Sequence, residues 1–331
     1  MRPSQIADTP GQPTMSSGDL LADRRYQFGR DLVARGDDMG AADLFAQAVE
    51  AAPRFAPAWF ALGEVRIKLT DYAGAAAAFR RALELDPADS CGAALRLARL
   101  GEGDTTTAMS PAYVRTLFDQ YAGNFDAALA RLRYDAPARL REAVEKVRPD
   151  TTFAHMLDLG CGTGLAGTAF RPLVQRLTGV DLSPGMIAQA CGKGVYDRLA
   201  ASDMMRFLAA EGAGDESTKV YDLVIAADVF VYVSDLAPIA VAVASVMREG
   251  GLFGFTVEAC RTGVELGDRL RYRHGEDHVR SALAAARLRL LTLMPVSTRI
   301  EGDAAVAGLL VIATREMSSE PAAPLARFGA R

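Results

Sequence analysis

The chain has 331 residues, 50% of them apolar and 24% charged, the balance of a globular protein with material for about two domains. A formal net charge of −4 argues against broad binding to nucleic acid or to an anionic membrane. Four cysteines (Cys91, Cys161, Cys191, Cys260) stand far apart, which excludes a CxxC zinc site and a disulfide framework and fits a reducing compartment.

Residues 1–20 contain no apolar h-region and do not read as a signal peptide. They and residues 316–331 are rich in Pro, Ser, Gly and Ala and read as disordered tails. No uncharged apolar run approaches the ~20 residues of a membrane span, so the expected location is cytoplasmic.

Residues 21–108 repeat themselves. Phe28, Gly29, Ala41, Phe45, Ala48 and Pro53 recur 34 positions later as Leu62, Gly63, Ala75, Phe79, Ala82 and Pro87. Glycine and alanine are small where two helices of a pair would cross. Phe45/Ala48 and Phe79/Ala82 share a helix face, and each proline ends a helix. A third copy starts at Ser90 but loses the later positions, which predicts a capping helix. The pattern resembles the tetratricopeptide repeat, an all-α module, and implies docking to a partner or self-association.

A helical connector or lid is expected over 109–150. From 151 to 315 the pattern changes to short apolar strands, "FAHMLDL", "RLTGVDL", "YDLVIAA" and "GLFGFTVE", separated by helical stretches such as "GLAGTAFRPLVQR" and "DLAPIAVAVASVMR". Alternating strands and helices predict an α/β fold with a parallel sheet, whose ligands bind beyond the carboxyl ends of the strands.

The first strand runs into "DLGCGTG", where Gly160, Gly162 and Gly164 leave the strand-to-helix turn bare. Glycine pattern alone is a weak signal, since Gly162, Gly164 and Gly167 also satisfy the dinucleotide spacing GxGxxG. The acids around it are more specific. Asp158 lies two residues before Gly160, placed to meet a cation; Asp181 ends the second strand, where a carboxylate can take both hydroxyls of a ribose. Asp203 follows a short third strand, and Asp228 follows the fourth, on the expected floor of the cleft.

This series resembles the class I S-adenosylmethionine-dependent methyltransferases, in particular those carrying N-terminal tetratricopeptide repeats. The resemblance spans roughly Tyr113 to Thr314. It implies a Rossmann-like seven-stranded sheet with its last strand antiparallel, near Val306–Thr314, and S-adenosylmethionine as cofactor, S-adenosylhomocysteine being the product. The implied cofactor residues are Tyr121, Asp158, Gly160, Cys161, Gly162, Thr163, Gly164, Asp181, Leu182, Met186, Asp203, Met204, Asp228 and Val229. Where His278 stands the family more often has tyrosine. No metal site is expected.

Methyl transfer is an in-line displacement that alignment alone can accelerate, by roughly 7–11 kcal/mol in ideal cases, so a general base need not be conspicuous. His274 and Tyr232 are the catalytic candidates; Arg271, Tyr272 and Arg299 are candidates for the acceptor, since arginines hold carboxylates and phosphates by paired hydrogen bonds. The acceptor class is a small molecule or a carrier- or protein-bound group. The alternative is a scaffold that binds the cofactor without turnover. A nicotinamide oxidoreductase is disfavoured by Asp158 and by the absence of a Tyr-x-x-x-Lys pair. Nucleic-acid methylation is disfavoured by "ADVFVYV" standing where an Asn/Asp-Pro-Pro-aromatic motif would be.

Overall fold

The computed structural model describes residues 16–213 and 220–316; of the two expected tails, residues 1–15 and 317–331 lie outside the described residues. Ser16–Asp19 differ from the expectation of a disordered tail: they cap the first helix, with Asp19 accepting the amides of Leu21 and Ala22. Two compact units divide the chain between Leu117 and Phe118.

The first unit is all helical: α1 (Leu20–Arg35), α2 (Asp38–Ala51), α3 (Ala56–Lys68), α4 (Tyr72–Leu85) and the shorter α5 (Ala93–Arg99). The repeat signature is explained by packing. A side chain on Gly29 would start 2.6 Å from the Phe45 ring, and one on Gly63 would start 2.5 Å from the Phe79 ring. Each glycine therefore lets the second helix of its pair bring a phenylalanine ring directly against the backbone of the first. Asp37 and Asp71, also 34 apart, cap α2 and α4 by accepting the amides of Gly40 and Gly74.

The helix α6 (Pro111–Tyr121) crosses the division. A 3-10 turn (Ala122–Asn124), α7 (Phe125–Arg131) and α8 (Ala136–Val147) lead into β1 (Phe153–Leu159), α9 (Leu165–Phe170), β2 (Val174–Asp181), α10 (Pro184–Lys193), β3 (Arg198–Ala201), α11 (Met204–Glu211) and β4 (Tyr221–Ala226). Next come α12 (Leu236–Val246), β5 (Met247–Ala259), β6 (Val264–Leu266), β7 (Tyr272–His274), α13 (Glu276–Ala285), β8 (Leu288–Val296), the ribbon β9 (Ile300–Glu301) and β10 (Ala304–Ala305), and β11 (Gly308–Arg315).

The main sheet runs β3-β2-β1-β4-β5-β11-β8. Its first five strands are parallel, and β11 lies antiparallel between β5 and β8. This is the Rossmann-like order with an antiparallel last strand. Alternate residues feed two cores: Leu157, Leu159 and Val224 face one side, while Met156, Leu223 and Ile225 face the other. Both faces are covered, which is why these strands read as apolar runs.

Three elements differ from the sequence expectation. The helix expected over Gly164–Arg176 stops at Phe170, because Pro172 has no amide to continue it and Val174 enters the core as part of β2. The strand expected at Gly251–Glu258 begins at Met247. The polar segment after it contains β6 and β7, with β7 joined to the sheet beside the end of β5. No helix among the described residues is long and apolar enough to cross a membrane.

Candidate functional site

Strand order reverses at β1, which has β2 on one side and β4 on the other, and the crevice of such a sheet opens at that point. The glycine loop lies there. Gly160, Gly162 and Gly164 all have left-handed φ (64°, 53° and 92°), a conformation that a Cβ disfavours. Their surroundings separate their roles. A side chain on Gly160 would run into Val229 at 2.6 Å. Side chains on Gly164, Gly167 and Gly179 would all strike the ring of Tyr196, at 2.9, 2.3 and 2.7 Å. Around Gly162 the nearest atom is 3.8 Å away, on Phe125. Most of these glycines therefore make room for protein side chains, and Gly162 is the loop glycine whose face is open.

The loop is tied to the strand ends. Asp181 accepts the amide of Gly162 at 2.9 Å through one oxygen and that of Ser183 at 2.8 Å through the other. Burial pushes its carboxyl above the usual range, against the lowering effect of these amides. Leu182 is half-buried beside it, and Met186 is fully buried at the start of α10. Asp203 caps α11, with Oδ1 accepting the amide of Arg206 at 3.0 Å, and Met204 packs against the core behind it. Cys161 is buried; its amide donates to Val180 of β2, and burial raises its thiol far above the ordinary value.

The connector after Phe118 folds over this loop. Asp119 accepts from the Ser183 hydroxyl at 2.5 Å and from the Gly185 amide at 3.0 Å. The buried Thr163 hydroxyl donates to Asp126, which Lys193 also pairs at 2.7 Å. Phe118 meets Phe125 and Tyr232 edge-on, at 5.9 and 5.2 Å between ring centres. Tyr121, expected to close over the cofactor, is 54% exposed at the end of α6, and Phe125 faces the loop.

Several candidate residues occupy other positions than expected. Asp158 does not face the crevice. It is 1% exposed beneath the loop, where the Tyr196 hydroxyl donates to it at 2.6 Å. Burial raises its pKa to about 7, with the Tyr196 bond working against the rise and the Asp181 charge adding to it. Asp228, in left-handed conformation at the end of β4, is held by Thr256 and by Arg299. Arg299 is enclosed: Nη1 meets Asp228, Nη2 meets Glu258 and Nε meets Glu301. Arg271 pairs the same Glu258 and Glu301. Burial works against the Arg299 charge, yet the three acids hold its pKa above the usual value; burial likewise opposes ionisation of Glu301, but Arg271 and Arg299 bring it down to about 2. These arginines are already matched by carboxylates and have structural partners in place of a substrate anion.

His274 is wholly buried on β7, its Nε2 2.9 Å from the Val233 carbonyl. Burial lowers its pKa to about 4, assisted by His278, whose ring centre lies 5.4 Å away. It is a neutral interior imidazole, unsuited to taking a proton from a ligand in the crevice. His278 accepts the Leu236 amide, and Tyr272 is buried beside His274 on β7. Tyr232 is half-buried on the 3-10 turn after β4, against Phe118. Among the described residues no group of three His, Cys, Asp or Glu side chains is placed to hold a metal.

The sequence reading missed Tyr196, Asp119, Asp126, Lys193 and the acids Glu258 and Glu301. Small residues at 164, 167 and 179 signalled that something bulky packs there, but only folding brings Tyr196 to all three.

Residues 157–253 match the family described as a methyltransferase domain, and residues 56–89 match the tetratricopeptide repeat. A malonyl-[acyl-carrier protein] O-methyltransferase of Serratia marcescens is 30% identical over 176 residues, 53% of this chain and 64% of that protein. Human methyltransferase-like protein 27 is 39% identical over 84 residues, 25% of this chain and 34% of that protein. The chain thus spans less than two thirds of these relatives' lengths. The crystal structure of the [4+2]-cyclase SpnF shares the fold, with a TM-score of 0.50 at 17% identity, over 62% of this chain and 96% of that one. Residues 157–253 are thus similar to a methyltransferase domain, within a sheet of Rossmann-like order, and a match to the tetratricopeptide repeat precedes them in the same chain.

Proposed function

We propose that the chain is an S-adenosylmethionine-dependent methyltransferase acting on a small-molecule or carrier- or protein-bound acceptor. One observation carries the reading: the open backbone at Gly162 donates its amide to Asp181 at the strand end, and Asp203 stands at the end of the strand next to Asp181's own. The donor set suits a nucleoside. Each Asp181 oxygen takes one backbone amide and has a further lone pair, so the carboxylate can also accept two ribose hydroxyls. Asp203 has a second oxygen with which to accept an adenine amine, and Leu182 and Met204 supply apolar walls. Gly160, Cys161, Thr163, Gly164, Met186 and Val229 shape the loop and its support.

When bound, the cofactor supplies an activated methyl group on a sulfonium leaving group. The chain's own contribution is alignment and exclusion of water, through the connector that Asp119 and Asp126 tie over the loop. Tyr232 is the side chain that would orient the acceptor; no proton transfer is assigned to His274. The name of the Serratia marcescens relative supports an acceptor delivered on a carrier protein, with the repeats as a docking surface.

The reading is tested by calorimetric titration with S-adenosylhomocysteine, repeated on Asp181→Ala. Micromolar binding that weakens about tenfold or more in the variant supports it, given the strength of charge-assisted hydrogen bonds. No binding by the parent chain would overturn it.

A further inference from the structure

The two repeats bury equivalent positions unequally. Phe55, which caps α3, and Leu62 of α3 are 4% and 2% exposed, packed with Phe45, Ala48 and Val49 of α2. Their counterparts 34 residues earlier, Leu21 and Phe28 of α1, are 53% and 61% exposed. Among the described residues no helix plays for α1 the part that α2 plays for α3. The face that α1 gives to α2 holds Ala22, Tyr26 and Gly29. At about 3.6 residues per turn, Leu21, Arg24, Phe28, Asp31 and Arg35 lie together on a different side. Their alternating spacing of three and four is that of a helix-pairing seam.

Two positions of this stripe differ in kind from their buried counterparts. Where α3 has Ala58 and Val65, α1 has Arg24 and Asp31, both exposed. They carry opposite charges and flank Phe28 on either side. We propose that α1 is the surface through which two copies of this chain pair, antiparallel, about a two-fold axis at Phe28. In that arrangement the two Phe28 rings meet at the centre. Arg24 of each copy comes opposite Asp31 of the other, so the pairing is made twice, as a two-fold interface requires. A parallel arrangement would set like charges against each other. The proposal goes beyond the methyltransferase reading and does not rest on it.

The test is the mass of the full chain by sedimentation equilibrium at roughly 10–100 µM, a range that fills an interface of micromolar Kd. A dimer is expected, with Phe28→Glu monomeric. Arg24→Glu and Asp31→Arg should each weaken the dimer about tenfold or more, because each sets like charges opposite in both contacts. Mixed one to one, those two variants should form a heterodimer, since every contact then joins opposite charges; the double variant should regain the homodimer. A parent chain that stays monomeric would overturn the proposal. So would a dimer indifferent to Phe28→Glu, or charge reversals that mixing does not rescue. Circular dichroism equal to the parent's confirms folding of these surface variants. Unchanged S-adenosylhomocysteine binding separates a failed interface from a failed cofactor assignment.

Discussion

The Tyr196 hydroxyl donates a 2.6 Å hydrogen bond to Oδ2 of Asp158, while its ring fills the space that side chains at positions 164, 167 and 179 would take. The pair forms the underside of the glycine loop. Asp158 Oδ1 has no side-chain partner that reaches it, and the Tyr196 bond, with the Gly167 backbone as a smaller contributor, offsets the desolvation of this carboxyl. Tyr196→Phe should cost about 1–3 kcal/mol, the penalty for orphaning a buried polar group. Tyr196→Ala should cost about 3–5 kcal/mol, because it also leaves a cavity the size of the ring. Chemical denaturation of the three proteins measures both differences, and equal stabilities would show that the ring does not support the loop.

Asp158 also predicts a pH dependence. Its folded pKa of about 7 lies above the unfolded value near 3.8. Between those values the folded chain keeps a proton that the unfolded chain has released. Its contribution is therefore fully present below about pH 4 and is lost as pH rises through 7. His274 has the opposite sign: its folded pKa of about 4 lies below 6.5, so its contribution grows as pH rises through that window. The two slopes partly cancel in the parent chain. Asp158→Asn removes one of them, and its stability should rise relative to the parent's between pH 4.5 and 7 in thermal unfolding. A constant difference across that range would refute the assignment.

Arg299 offers a direct distinction between a structural and a substrate-binding arginine. Each of its three nitrogens meets a different carboxylate. Arg299→Leu should destabilise the domain by about 3–5 kcal/mol, since it leaves buried acids without their cation. Arg299→Lys should rescue little, because one ammonium cannot reproduce a three-way fork. A raised KM for the acceptor with an unchanged unfolding midpoint would be the signature of a substrate anchor, and is not expected.

In the repeats, a methyl group at position 63 would start 2.5 Å from the Phe79 ring. Gly63→Ala should therefore lower the unfolding midpoint of the helical unit, at a cost of about 1–3 kcal/mol for overpacking. Combining it with Phe79→Leu should recover part of the loss. Circular dichroism during urea titration reads both variants, and additive losses would mean that the two positions do not touch.

Much of the architecture is local information and was legible along the chain. The 34-residue repeat, the buried strands and the glycine turn each depend on residues near one another in sequence, so periodicity and spacing expose them. The strand-end positions of Asp181, Asp203 and Asp228 follow from the same alternation of strands and helices. The identity of each side chain's partner is different in kind, because it depends on residues far apart. Asp158 meets Tyr196 across 38 positions, Arg299 meets Asp228 across 71, and β7 joins β5 through a segment that reads as polar loop. Whether an acid faces the crevice or the interior, and whether an arginine is available or already paired, was decided only by tertiary structure. Burial makes that decision, since a charge withdrawn from water must find its partner wherever the fold brings one.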